Sequence, residues 1–151
     1  MNKLEKQNLS LAEILLVEDN PGDVELMLEA LEEYKIQNRI HVAEDGEEVL
    51  DFLYKRGKFK DAPTPDLILL DLNLPKKSGQ EVLKDIKTNP DLHNIPVVIL
   101  TSSTANMDLV KSYNLNVNAY VVKPVELQGF LSVVKAIEQF WFHIVKLPKH
   151  E

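Results

Sequence analysis

The sequence predicts an α/β domain, a five-stranded parallel sheet with helices on both faces, and three observations carry that expectation. Short, wholly apolar runs recur, among them Ile14–Val17, Leu67–Leu70 and Pro96–Leu100. Each is long enough for a strand buried on both faces and too short for a helix. Between them lie segments whose apolar residues recur at steps of three and four, as on one face of a helix. Each run also ends in acids, hydroxyls or turn formers, which keeps the connections short. Strand and helix alternate five times, and short right-handed crossovers then leave a doubly wound sheet as the economical arrangement.

The elements follow in order. Residues 1–11 mix Lys, Glu, Asn and Gln with isolated Leu and read as a loosely held arm. Ile14–Val17 is the first strand, stopped by Glu18-Asp19-Asn20-Pro21-Gly22, where Asn20 suits a helix cap and Pro21 a first turn. Val24, Leu28 and Leu31 then mark an apolar helical stripe. Arg39–Ala43 alternates more than the other strands and belongs at a sheet edge. Glu44-Asp45-Gly46 turns into a helix carrying Val49, Leu50, Phe52 and Leu53, and Tyr54–Pro65 is a basic loop. Asp66–Leu70 is the central strand, ended by Asp71. Val82, Leu83 and Ile86 define the next helix, which stops near Asn89-Pro90. Pro96–Leu100 runs into Thr101-Ser102, a fourth helix carries Met107, Leu109 and Val110, and Ala119–Val122 runs into Lys123-Pro124. A last helix extends from about Val125 to Ile144. With Arg39–Ala43 at an edge, the strand order is 2-1-3-4-5.

Composition narrows the function classes. A chain of 151 residues with 44% hydrophobic and 27% charged residues can bury a full core as one domain, expected over 12–146 with a short tail at 147–151. A net charge of −7 opposes broad nucleic-acid binding. The absence of cysteine removes disulfides, thiol nucleophiles and thiolate metal sites. With no signal-peptide pattern and no apolar window of membrane-spanning length, the expectation is a cytoplasmic protein away from membranes.

The chemistry converges at one rim. In the order 2-1-3-4-5 the first and third strands are neighbours, and their carboxyl ends form the topological switch point where ligands bind. Glu18, Asp19 and Asp71 therefore meet in one crevice. Three carboxylates that close repel unless a cation sits among them, and Mg²⁺ suits such oxygen donors while leaving room for a phosphate oxygen. The fourth and fifth strands bring Thr101 and Lys123 to the same rim, a hydroxyl and a compact positive charge suited to a phosphoryl group. Taken singly, each also has an ordinary structural reading: a solvated turn, a helix cap, a surface lysine. Their common position at the ends of four apolar strands is what favours a site. The four histidines show no ligand spacing, and no glycine-rich loop is present to cradle a nucleotide.

The combination Glu18-Asp19, Asp71-x-x-Leu74-Pro75-x-x-x-Gly79, Thr101-Ser102 and Lys123-Pro124 resembles the receiver domain of two-component response regulators, the CheY-like family, over about residues 12–145. The run Val17–Asp23, the lengthened loop Tyr54–Pro65 and Asp71–Lys77 look more narrowly like single-domain regulators partnered with bacterial phytochromes. The resemblance implies a flavodoxin-like (βα)5 fold and a phosphoacceptor signalling protein, not an enzyme acting on free substrates. Asp71 would take a phosphoryl group from a sensor histidine kinase or phosphotransfer protein. Asp19, Asp71, Glu18 and the main-chain carbonyl of Asn73 would hold Mg²⁺, with Glu18 standing where the family commonly has Asp. Thr101 and Lys123 would bind phosphoryl oxygens, Tyr120 would turn inward after Thr101, and Lys123-Pro124 would be a cis peptide. A dehalogenase-type phosphatase is the enzymatic alternative, but it needs a second Asp where this chain has Asn73.

Two expectations concern output. The chain ends soon after the last helix, which leaves a switched protein-interaction surface in place of an output domain. In that helix Phe130, Val134, Ile137, Trp141 and Ile144 or Val145 form a stripe for the sheet, while Leu131, Val133, Phe140 and Phe142 lie partly off it. The surplus apolar surface points to a homodimer through the C-terminal helix.

Overall fold

The computed structural model describes residues 12–33, 38–101 and 119–122. Within them run strand β1 (Ala12–Val17), helix α1 (Pro21–Glu33), β2 (Asn38–Ala43), α2 (Gly46–Leu53), a 3-10 turn (Gly57–Phe59), β3 (Leu67–Asp71), α3 (Gly79–Thr88), β4 (Val97–Thr101) and β5 (Ala119–Val122). The expected arm 1–11, the fourth and fifth helices, the tail 147–151 and the Lys123-Pro124 bond lie outside the described residues.

The five strands form one sheet in the order β2-β1-β3-β4-β5, every neighbouring pair parallel. The order follows from the apolar runs. Ile14–Val17, Leu67–Leu70 and Val97–Leu100 are at most 1% exposed, as strands flanked on both sides and covered on both faces must be. Fully burying one such side chain contributes about 1.5–3 kcal/mol, so these strands dominate the stabilisation of the sheet. β2, whose Ile40, His41 and Val42 are only half-buried, takes the edge.

Period-2 alternation divides the strand residues between two layers. Leu15, Val17, Ile68, Leu70, Val97 and Ile99 pack with Val49, Phe52 and Leu53 of α2 and Val82, Leu83 and Ile86 of α3 in one cluster. Ile14, Leu16, Leu67, Leu69, Val98 and Leu100 face the other way. Met27 and Leu31 of α1 are buried outside that cluster, as the reversed crossover direction from β1 to β2 requires.

The expected α1 stripe of Val24, Leu28 and Leu31 needs one correction. Met27 (1% exposed) occupies the buried face with Leu31, while Leu28 is 37% exposed. Positions 24, 27 and 31 fall on one line of the helix, and Leu28 sits at its margin. The loop 54–65 is also more regular than expected. Its 3-10 turn places Phe59 and Ala62 against the core cluster.

Helix α3 begins with a capping box, in which the Glu81 N–H donates to Ser78 Oγ (3.3 Å) and the Ser78 N–H to Glu81 Oε1 (3.4 Å). Its C-terminal end is held by Lys87. That ammonium donates to the carbonyls of His93 (3.1 Å) and Ile95 (3.0 Å), and burial lowers its pKa.

Candidate functional site

Three carboxylates meet where β1 and β3 end. Glu18, Asp19 and Asp71 each present an oxygen, and these three atoms lie within 4.8 Å of one another. Glu18 is 2% and Asp71 1% exposed, the only buried polar residues among those described, whereas Asp19 is exposed. The cause is local. The Glu18 N–H donates to the Ala43 carbonyl (3.0 Å), extending the β1–β2 ladder by one residue and fixing Glu18 on the rim. Its Oε2 accepts the Asn20 N–H (3.1 Å), which folds the chain toward α1. Asn20 Oδ1 in turn accepts the Asp23 N–H (3.0 Å) as the cap of that helix.

Asp71 ends the central strand. It pairs in register with Leu100, and the Leu72 N–H continues the ladder to the Leu100 carbonyl (3.2 Å). Alternation sets Asp71 and Glu18 on the same sheet face as Leu69 and Leu16, so the two side chains converge. Asp71 Oδ1 accepts the Asn73 N–H (2.9 Å), which fixes the plane of the carboxylate and brings the Asn73 backbone beside it.

The segment from Asp71 to Ser78 is held from two sides by glycines. A Cβ on Gly79 would lie 2.8 Å from the Asp71 carbonyl oxygen and 2.9 Å from that of Leu72. One on Gly46 would lie 2.6 Å from Lys77 Cβ and 2.8 Å from its carbonyl carbon. Only the absence of side chains lets the first residues of α2 and α3 close on this segment. Lys76 sits in the left-handed region at φ 66° and reaches Asp45 (3.5 Å). Asp45 caps α2 by accepting the Glu48 N–H (2.8 Å). That bond holds the Asp45 carboxyl below its ordinary value, and Lys76 adds to the effect. Lys77 pairs with Asp85 at 2.6 Å, which raises the pKa of its ammonium. The part played by Gly46, Asp45 and Lys76 was not anticipated from the sequence, where Glu44-Asp45-Gly46 reads as a turn and Lys76 carries no role of its own.

Thr101 is the last residue of β4, one step beyond the partner of Asp71, and pairs with Val122. Tyr120 pairs with Ile99 on β5. Their backbones are therefore where the strand order predicts. Lys123 and Pro124 lie outside the described residues.

As a donor set the carboxylates fit a hard divalent cation: three oxygens converge, two of them from buried groups, with a backbone segment alongside. No helix among the described residues is long and apolar enough to cross a membrane.

Comparison with known proteins agrees with this geometry. Residues 14–135 match the response regulator receiver domain. Response regulator Rcp1 of Synechocystis sp. is 47% identical over 135 residues, covering 89% of this chain and 92% of the relative. Among solved structures, the Mn²⁺-bound form of response regulator Rcp1 aligns with a TM-score of 0.80 at 46% identity, over 91% of this chain and 99% of that one. The phosphorylated cyanobacterial phytochrome response regulator RcpA aligns with the same TM-score at 44% identity, again over 91% and 99%. A parallel sheet in the order 2-1-3-4-5, an acid cluster at its switch point and a family match spanning both place the chain among the response regulator receiver domains.

Proposed function

We propose that Asp71 is the phosphoacceptor of this receiver. The reading rests on one observation: a buried carboxylate at the end of the central strand, within 4.8 Å of two further acids. In the transfer, a carboxylate oxygen of Asp71 attacks the phosphorus of a phosphohistidine. The O–P bond forms as the P–N bond breaks, and the electron pair returns to the departing imidazole, leaving an aspartyl phosphate. The Asn73 N–H orients the carboxylate for that approach. Glu18, Asp19, Asp71 and the Asn73 carbonyl are the Mg²⁺ ligands in this reading. When bound, the cation offsets the charge of the acids and of the incoming phosphoryl group. That Rcp1 is solved in a Mn²⁺-bound form supports a divalent ion as the ligand of this chain.

Thr101 and Lys123 take the remaining phosphoryl oxygens, and Tyr120 follows Thr101 inward, altering a surface read by another protein. The same groups serve the receiver's own phosphorylation and dephosphorylation. The donor is a sensor histidine kinase of the phytochrome type, a choice supported by the likeness to RcpA. The receiver occupies residues 12–146, flanked by the arm and tail, and works in the cytoplasm without nucleic acid or membrane. It pairs with a second copy through its C-terminal helix.

Asp71→Asn tests the central assignment. Labelling from a phosphorylated kinase, or from acetyl phosphate, should fall to background while circular dichroism is unchanged. Undiminished, hydroxylamine-labile label on the variant would overturn it.

A further inference from the structure

The loop Tyr54–Pro65 takes no part in phosphoryl transfer, yet it holds the densest positive charge in an acidic chain. Lys55, Arg56, Lys58 and Lys60 place four of the 17 lysines and arginines within residues 55–60, against a net charge of −7. The loop has a defined backbone path. Lys55 and Gly57 both adopt φ 57°. The Arg56 N–H donates to the Asp51 carbonyl (2.8 Å) and the Ala62 N–H to the Phe59 carbonyl (2.9 Å). Lys55 Nζ spans the loop to the Ala62 carbonyl (2.8 Å) and Thr64 Oγ1 (3.2 Å). Lys58 reaches Glu48 (3.6 Å) and draws the loop back along α2, and Phe59 stands edge-on to Phe52 at 5.4 Å between ring centres.

Between this loop and the sheet edge lies a groove of about 350 Å³, lined by Val42, Phe52, Phe59, Ala62 and Pro63 with Lys58 beside them. Its other border is β2, which among the described residues pairs with β1 alone. Because the Ala43 carbonyl points to β1, the ladder alternation turns the N–H and carbonyl groups of Ile40 and Val42 outward. An apolar pocket, an open strand edge and a basic loop thus adjoin one another.

We propose that this groove binds an extended acidic segment of a partner protein that carries one large apolar side chain. The strand edge supplies main-chain hydrogen bonds, the pocket takes the side chain, and the loop lysines meet the carboxylates. Charge complementarity selects the occupant. A chain of net −7 repels an acidic segment over most of its surface and attracts one here. Nucleic acid fits less well, because the cations are confined to residues 55–60 of a chain whose net charge is −7. Too little charge remains to follow a phosphate backbone. No lining residue belongs to the carboxylate crevice, so binding is independent of the state of Asp71.

A phage-displayed library of random 12-residue peptides, panned on the intact protein, tests the proposal. Selected peptides should be rich in Asp and Glu around one Phe, Leu or Trp. Their affinity, by fluorescence anisotropy, should fall at least tenfold in Lys58→Glu/Lys60→Glu and in Phe59→Ser, and in 300 mM relative to 50 mM NaCl. Asp71→Asn should bind within twofold of wild type, and Lys58→Glu/Lys60→Glu should still accept phosphoryl label. The proposal is overturned if no acidic consensus emerges, or if the loop variants bind within twofold of wild type. It is equally overturned if a 20-nucleotide RNA or phosphatidylserine vesicles bind more tightly than every selected peptide.

Discussion

Asp19 is the exposed member of a trio whose other two carboxylates are buried, and that difference sets its expected role. A buried acid is held by the fold, whereas an exposed acid at the crevice mouth contributes mainly charge to a bound cation. Removing that charge in Asp19→Asn should weaken Mg²⁺ binding at least about tenfold, since even groups that only support a metal ligand are worth about 10–100-fold. Mg²⁺ titration should show this with the fold intact, and a titration matching wild type would exclude Asp19 as a ligand. The acids were legible in the sequence because Glu18 and Asp71 directly follow apolar runs, with Asp19 next in line, and a strand's end is fixed by its hydrophobic pattern. Lys76 was not legible. Its left-handed backbone and its reach to Asp45 depend on α2 lying against the loop, a contact that local sequence does not encode.

At the scale of elements, helix α2 ties the loop Asn73–Ser78 to the sheet edge, and its cap has a defined pH signature. Asp45 is held below its ordinary value of 3.8, chiefly by accepting the Glu48 N–H. A depressed carboxyl contributes stability above that value and loses it as pH falls through the lower, folded-state pKa. Asn caps a helix as well as Asp does, so Asp45→Asn isolates the charge. Urea denaturation should find the variant less stable than wild type at pH 7, with the gap closing as pH drops below 3.8. A gap that stayed constant down to acid unfolding would exclude the charge. Strands β3 and β4 were legible to within a residue, and β1 to within two, because unbroken apolar runs have no other use in a short chain. The face of α1 was less so: Met27 and Leu28 are adjacent and similarly apolar, and only the packing direction buries one and exposes the other.

For the molecule as a whole, the strand order was legible because one alternating run and four apolar ones admit few arrangements. The groove beside β2 was not, since it exists only once the loop has folded back with Phe59 and Ala62 against the core. The proposed dimer belongs at this scale. Sedimentation at micromolar concentration should show a two-copy species, and Phe140→Glu with Phe142→Glu should yield a folded monomer; a wild type that sediments as a monomer with and without a phosphoryl mimic ends the idea. The two glycines that close on the segment after β3 bear on how such a protein can diverge. Gly46 and Gly79 have backbone atoms where a Cβ would go, so every substitution there must displace the segment that positions Asn73. The loop lysines and outer helix faces meet no such barrier. Divergence from a common ancestor is therefore freer over the outer surface than along the path of the chain past Asp71.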